Sequence, residues 1–213
     1  MIRKDAEREA RQRFIVEATR RLLAKRDLVE VTMDDIAAAA EYSRRTLYRY
    51  FECRDEIYLL ILIDDLRRRW AEQQTALAKT PGGLAKILIW AEVLFEFSRR
   101  NPEALKLQMY WDYRGIDSYK MPKGIFAEFE GINTELADGL REIFSLGVED
   151  GSLRPGLDID MCISQFLYTF RVVIHRALSP GYTFATFAPD DYVQHYLELF
   201  REAIRTRKEE AHA

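Results

Sequence analysis

The chain predicts an all-α protein, with a small three-helix unit at its N-terminal end and a larger set of helices after it. Apolar residues recur three and four positions apart through most of the 213 residues, the period of a helix with one buried face. Helix-start signals (Thr32, Ser43 and the pair Asn101-Pro102) stand where those apolar stripes begin. No strand-period alternation, internal repeat or low-complexity tract stands out, and a hydrophobic content of 48% suffices for a proper core.

The first helix is expected over residues 6–25, with Phe14, Ala18 and Leu22 on one face and Ile15 and Leu23 beside them. Before it, Arg3 and Lys4 form either a frayed end or an arm that touches phosphates. The second helix begins at Thr32, whose hydroxyl can accept from the Asp35 backbone N–H while the Asp35 carboxylate reaches back, a short-armed capping box. Asp34 and Asp35 suit the positive end of the helix dipole. Met33, Ile36, Ala37 and Ala40 give that helix a thin apolar face, which another helix can cross closely.

Ser43 caps a third helix expected over residues 44–51. At about 100° per residue, Leu47 and Phe51 share its inner face, Arg45, Thr46 and Arg49 point the opposite way, and Arg44 and Tyr48 lie at the edge. Over residues 42–54 four arginines face one acid, Glu52. Arginine can pair with guanine O6 and N7, a threonine methyl can touch a thymine methyl, and tyrosine hydroxyls can reach phosphates. The plain alternative is a solvated basic face on an ordinary helix.

The segment 14–60 resembles the DNA-binding domain of the tetracycline-repressor (TetR) family. The resemblance rests on Thr32, Ile36, Ala37 and Ala40, then Ser43, Thr46, Leu47, Tyr48, Tyr50 and Phe51, then the basic-acidic pair Arg54-Asp55. It covers about a quarter of the chain. Glu41 departs from the family's usual turn glycine and Tyr42 from its usual small aliphatic residue. A left-handed backbone at Glu41 would cost about 1 kcal/mol or more.

The resemblance implies a helix-turn-helix DNA-binding domain at residues 1–53 and a ligand-binding and dimerisation domain at 54–213. It implies a ligand-responsive repressor that binds a palindromic operator in double-stranded DNA as a homodimer and is released by a small apolar or aromatic effector. The candidate DNA contacts are Thr32, Ser43, Arg44, Arg45, Thr46, Tyr48, Arg49, Tyr50 and Arg54. An activator or ligand-independent regulator of the same fold is the nearest alternative; a helical enzyme or a protein-binding adaptor stands further off.

In the remainder, a helix from residue 53 or 54 to about 78 begins with an all-round apolar stretch, Ile57 to Ile63, as befits burial on every side. Thr80-Pro81-Gly82-Gly83 breaks the chain. Helices are then expected over 84–100, from Pro102 onward with Asn101 as N-cap, 125–148, 159–178 and 190–207, with loops at 115–123 and 179–189. Aromatic residues are frequent here, and rings that face one another commonly line apolar sites. The candidate ligand set is Trp90, Phe95, Met109, Tyr110, Tyr113, Phe126, Phe129, Phe166, Phe170 and His175; Tyr119 belongs to the same aromatic population. Ile163, Phe166, Phe170, Val193, Leu197 and Phe200 offer more apolar area than two helices can hide, the mark of a dimeric four-helix bundle.

The formal charge is −3, with residues 1–56 at +1 and the rest at −4, so basic charge gathers only at the recognition elements. Nucleophile elbows, phosphate-cradling glycine loops and zinc-protease motifs are missing, and His175, His195 and His212 are too scattered to form a metal cluster with Cys53 and Cys162. Hence neither enzyme chemistry, nor a metal, nor another cofactor is expected. Cys53 reads as a small capping residue rather than a redox switch. The charged N-terminus and the lack of a long apolar run suggest a cytoplasmic protein without a membrane span.

Overall fold

A computed structural model describes residues 2–116, 121–179 and 187–206, with side chains from residue 6 onward. Among the described residues there are helices and no strands: α1 Ile2–Leu23, α2 Met33–Ala39, α3 Arg44–Leu47, α4 Arg54–Leu77, α5 Gly83–Arg100, α6 Pro102–Arg114, α7 Lys123–Glu149, α8 Ile159–Leu178 and α9 Pro189–Ile204. Tyr119, His212 and the far end of the last expected helix fall outside these residues. The chain divides into two compact units, one of residues 1–67 and 101–132, the other of 68–100 and 133–213.

The first unit is built on α1 to α3, the start of α4, α6 and the start of α7. Ile15, Ala18, Leu23, Leu28, Val31, Ile36, Ala37, Leu47 and Phe51 are buried together in its core. The core face of α1 is thus Ile15, Ala18 and Leu23, not the expected Phe14–Ala18–Leu22 stripe: Phe14 is 48% exposed. The reason is the neighbouring turn, where Phe14 meets the Tyr42 ring edge-on at 6.3 Å. Because α1 begins at Ile2, Arg3 and Lys4 continue the helix rather than form an arm.

Arg20 of α1 reaches α4, bonding Asp64 at 2.7 Å and the buried Asp65. A buried cation needs such partners, because losing its hydration uncompensated costs several kcal/mol. Tyr58 of α4 donates to the Leu28 carbonyl at 2.9 Å, and burial pushes its phenol well above the usual range. As the sequence suggests, Ile57, Tyr58, Leu59, Ile61, Leu62 and Ile63 are all buried. On α6, Tyr110 meets Tyr58 edge-on at 6.2 Å. Asn101 precedes Pro102 as expected, but its side chain makes no capping bond.

The second unit joins the end of α4 to α5, most of α7, α8 and α9. Its helices approach closely at glycines: a Cβ at Gly83 would lie 2.2 Å from the Gly147 Cα, and one at Gly139 would lie 2.4 Å from the Trp70 ring. The start of α5 is capped from the turn after α7, where Asp150 accepts from Gly83 N–H at 2.7 Å and Ser152 from Leu84 N–H at 3.1 Å. Hydrogen bonding from the Ser152 side chain, then from the N–H groups of Gly83 and Ser152, holds the Asp150 carboxyl below its ordinary range. Trp90, Phe166, Phe170, Phe200 and Tyr196 form a run of ring contacts from α5 through α8 to α9.

Candidate DNA interface

The helix-turn-helix is held by bonds between near neighbours along the chain. Thr32 accepts from Asp35 N–H at 3.2 Å, and the Asp35 carboxylate accepts from Thr32 N–H at 2.8 Å, completing the capping box. The Thr32 hydroxyl and N–H, helped by Arg26 at 2.7 Å, lower the Asp35 pKa to about 2. α2 then ends in a paired C-cap: Tyr42 N–H bonds the Ala37 carbonyl at 2.9 Å and Glu41 N–H the Ala38 carbonyl at 3.1 Å. That pairing is the Schellman motif, whose turn residue must be left-handed. Glu41 occupies that place with φ of 57°, the positive value that its departure from glycine puts under strain.

Tyr42, the second departure, packs against Phe14 and lies 6.5 Å from the Tyr50 ring. A small aliphatic side chain could not span that distance. Ser43 then caps α3, accepting from Thr46 N–H at 3.1 Å.

α3 is shorter than the expected 44–51. Its α-helical bonding covers Arg44–Leu47. Beyond it the chain winds more tightly, with Arg49 N–H on the Thr46 carbonyl at 3.1 Å and Tyr50 N–H on the Leu47 carbonyl at 2.9 Å. Such i→i+3 closure is common where a helix ends, and here it delivers Phe51 into the core.

The outward side carries Arg44, Arg45, Tyr48 and Arg49, all exposed, whereas Thr46 is half-buried. Arg44 lies 5.6 Å from the Tyr48 ring and 3.1 Å from Asp34, both holding it firmly protonated. Arg45 and Arg49 have no hydrogen bond or ion pair among the described residues. Two guanidiniums one turn apart are therefore available to a partner. Thr32 and Ser43 have a different task, since their hydroxyls are spent on the caps.

Arg54 also stands apart from the sequence-derived set. Its Nη1 donates to the carbonyls of Val31 at 2.7 Å, Val29 at 3.2 Å and Leu28 at 3.4 Å, and its guanidinium lies over the Tyr58 ring at 5.2 Å. The side chain is turned inward to hold the loop between α1 and α2. The donors of Nη1 are thus taken by backbone carbonyls, which gives Arg54 a structural role beside the expected phosphate contact.

Two residues not foreseen from the sequence join the basic surface. Arg8 and Arg11 of α1 line a depression of about 460 Å³ with Glu7, Arg49 and Tyr50; Arg11 donates to the Tyr50 hydroxyl at 3.2 Å and lies 3.7 Å from the Glu7 carboxylate. Their spacing of three on an exposed face was the only signal, hidden among the many charges of α1.

The expected ligand set is divided between the units. Met109, Tyr110, Tyr113, Phe126 and Phe129 belong to the first; Trp90, Phe95, Phe166, Phe170 and His175 belong to the second. Tyr113 is 96% exposed and projects into solvent, away from the apolar surroundings expected of a ligand contact. Trp90, Phe95, Phe166 and Phe170 are buried as core, and His175 shares a hydrogen bond with Ser179 at 3.2 Å.

The expected dimer seam is corrected as well. Ile163, Phe166, Phe170, Val193 and Leu197 are all buried within the chain, and half-buried Phe200 stacks on Phe166 at 4.3 Å. They join α8 to α9 instead of facing outward, since two amphipathic helices first satisfy one another. The side chains left outside are Met161, Tyr168 and Val172 on α8 and Leu199 on α9, each 54–59% exposed.

Comparison with known proteins agrees with this geometry. Residues 15–61 match the family model described as "Bacterial regulatory proteins, tetR family". An HTH-type transcriptional regulator of Mycobacterium tuberculosis, itself uncharacterized, is 32% identical over 88 residues, 41% of this chain. The chain spans less than half (44%) of the length of that relative. Among solved structures, the ketosteroid transcriptional regulator of Mycobacterium tuberculosis aligns with a TM-score of 0.70 at 21% identity, over 92% of this chain and 96% of its own. The fatty acid degradation regulator of Bacillus halodurans gives 0.70 at 15% identity, over 92% and 97%. The fold is that of these regulators.

Proposed function

We propose, from the premise that residues 15–61 are a tetR-family N-terminal domain, that the protein is a homodimeric, ligand-responsive repressor of transcription. One observation carries the DNA reading: the capped turn presents Arg44, Arg45, Tyr48 and Arg49 together on the exposed side of α3. Arg45 and Arg49 read base edges; Tyr48 and Tyr50, with Arg8 and Arg11, hold phosphates. Residues 1–53 bind DNA, and 54–213 bind effector and partner in the cytoplasm.

Two recognition segments must meet successive major grooves, about 34 Å apart. The outer faces of α8 and α9 supply the dimer contact. Met161, Gln165, Tyr168 and Val172 fall on one stripe at i, i+4, i+7 and i+11, and Leu199 adds to it from α9. An apolar effector suits the aromatic second unit and has a parallel in the ketosteroid and fatty acid degradation regulators. By linkage, that effector binds the DNA-free conformation more tightly.

Selection of bound sequences from random double-stranded DNA, followed by mobility shift, tests the reading. A palindromic consensus with two half-sites supports it; no enrichment over bulk DNA would remove it.

A further inference from the structure

The first unit holds a cavity of about 430 Å³ away from the recognition surface, lined by Cys53 and Asp55 at the start of α4, Trp111 and Arg114 at the end of α6, and Gly115, Ile116 and Met121. That volume is at the lower end of the range of small-molecule sites. Trp111 is only 4% exposed, yet its indole N–H has no hydrogen-bond partner among the described residues. A buried donor without an acceptor carries a desolvation penalty that an arriving acceptor would relieve.

The charges at the mouth decide which acceptor. Asp55 lies between two guanidiniums, 3.6 Å from Arg54 Nε and 3.7 Å from Arg114 Nη2. It also accepts from the Tyr110 hydroxyl at 3.3 Å. The lone carboxylate is thus compensated by Arg54, while Arg114, 56% exposed, keeps donors beyond its bond to the Tyr110 hydroxyl at 2.6 Å. The local balance is cationic. Trp111, Ile116 and Met121 supply apolar walls.

We infer that this cavity binds a compact apolar molecule bearing one carboxylate, its ring or branched body against Trp111, Ile116 and Met121 and its carboxylate on the Trp111 N–H and the Arg114 guanidinium. The two oxygens of a carboxylate match these two donors. The site is independent of the DNA reading and lies outside the aromatic set expected to take the effector.

The test uses the full chain with ¹⁵N-labelled indoles and 2-naphthoate as probe, its neutral counterpart 2-naphthamide as control. The three tryptophans, Trp70, Trp90 and Trp111, give separate indole N–H signals, assigned through Trp→Phe variants at each position. Naphthoate should move the Trp111 signal saturably and leave the other two in place. Arg114→Gln, at an exposed position that leaves the fold intact, should weaken naphthoate about tenfold or more and naphthamide far less. An unmoved Trp111 signal at about 5 mM naphthoate, an affinity too weak to matter, would overturn the assignment. Equal losses for acid and amide in Arg114→Gln would do the same. Mobility shift on the same samples reports on DNA binding separately, so the two readings fail independently.

Discussion

Replacing Arg54 by alanine separates two roles for a residue that the sequence places beside DNA and the structure turns toward its own backbone. Nη1 carries two protons, so its three carbonyl contacts amount to two bonds at most. The strongest is the 2.7 Å bond to Val31, a residue with no exposed surface. A hydrogen bond to a charged group contributes about 1.5–3 kcal/mol. The Leu28 carbonyl keeps its bond from Tyr58, so its share of the loss is small. The guanidinium over the Tyr58 ring at 5.2 Å adds about 0.5–1 kcal/mol.

The total for Arg54→Ala is about 2–4 kcal/mol, or a fall of about 4–16 °C in Tm for a chain of this size. If Arg54 serves the loop and not a phosphate, the slope of log affinity against log salt should stay as it is for the folded fraction. A phosphate contact would instead reduce that slope by about 0.9. Thermal unfolding and mobility shift at several salt concentrations settle the matter. Unchanged Tm with a flatter slope would refute the inward role.

Arg45→Ala should cost about 1–3 kcal/mol in operator affinity and relax preference at one position, whereas Arg11→Ala should weaken all sequences alike; binding to a panel of operator variants distinguishes them. Leu199→Glu should dissociate the dimer while leaving the helical signal intact, but Leu197→Glu should unfold the second unit, since it buries an unpaired carboxylate; sedimentation and circular dichroism report the two outcomes, and a stable Leu199→Glu dimer would move the interface elsewhere. Glu41→Gly relieves the left-handed strain at φ of 57° at the cost of a looser unfolded chain, so a net gain of about 0.5–1 kcal/mol is expected by denaturant titration. Asp35 has a folded pKa of about 2 against an ordinary 3.8, so its contribution is complete above pH ~4 and is lost as pH falls toward ~2. Asp35→Asn should remove that acid-dependent loss from an unfolding curve followed between these values.

What could be read in the linear chain was what neighbours along it decide. The caps of Thr32 and Ser43, the acids opening α2, the break at Thr80-Pro81 and the all-round apolar start of α4 act over a few residues, so their signals survive without a fold. The same holds for the motif from Thr32 to Asp55, whose family resemblance the match over residues 15–61 repeats.

Which of several eligible partners a long side chain chooses depends on where distant segments arrive, and that was settled only in three dimensions. Arg54 had exposed DNA and buried carbonyls both within chemical reason, and the loop at Leu28 to Val31, more than twenty residues earlier, took it. Leu197 and Leu199 are both apolar on one helix, yet packing against α8 buries the first to 3% and leaves the second 59% exposed. The Trp111 cavity depends on the first residues of α4 meeting the end of α6, some sixty positions apart. Periodicity marks a helix as amphipathic, but only packing determines which of its apolar residues are left for a partner, because burial is a property of the assembled surfaces and not of the residue.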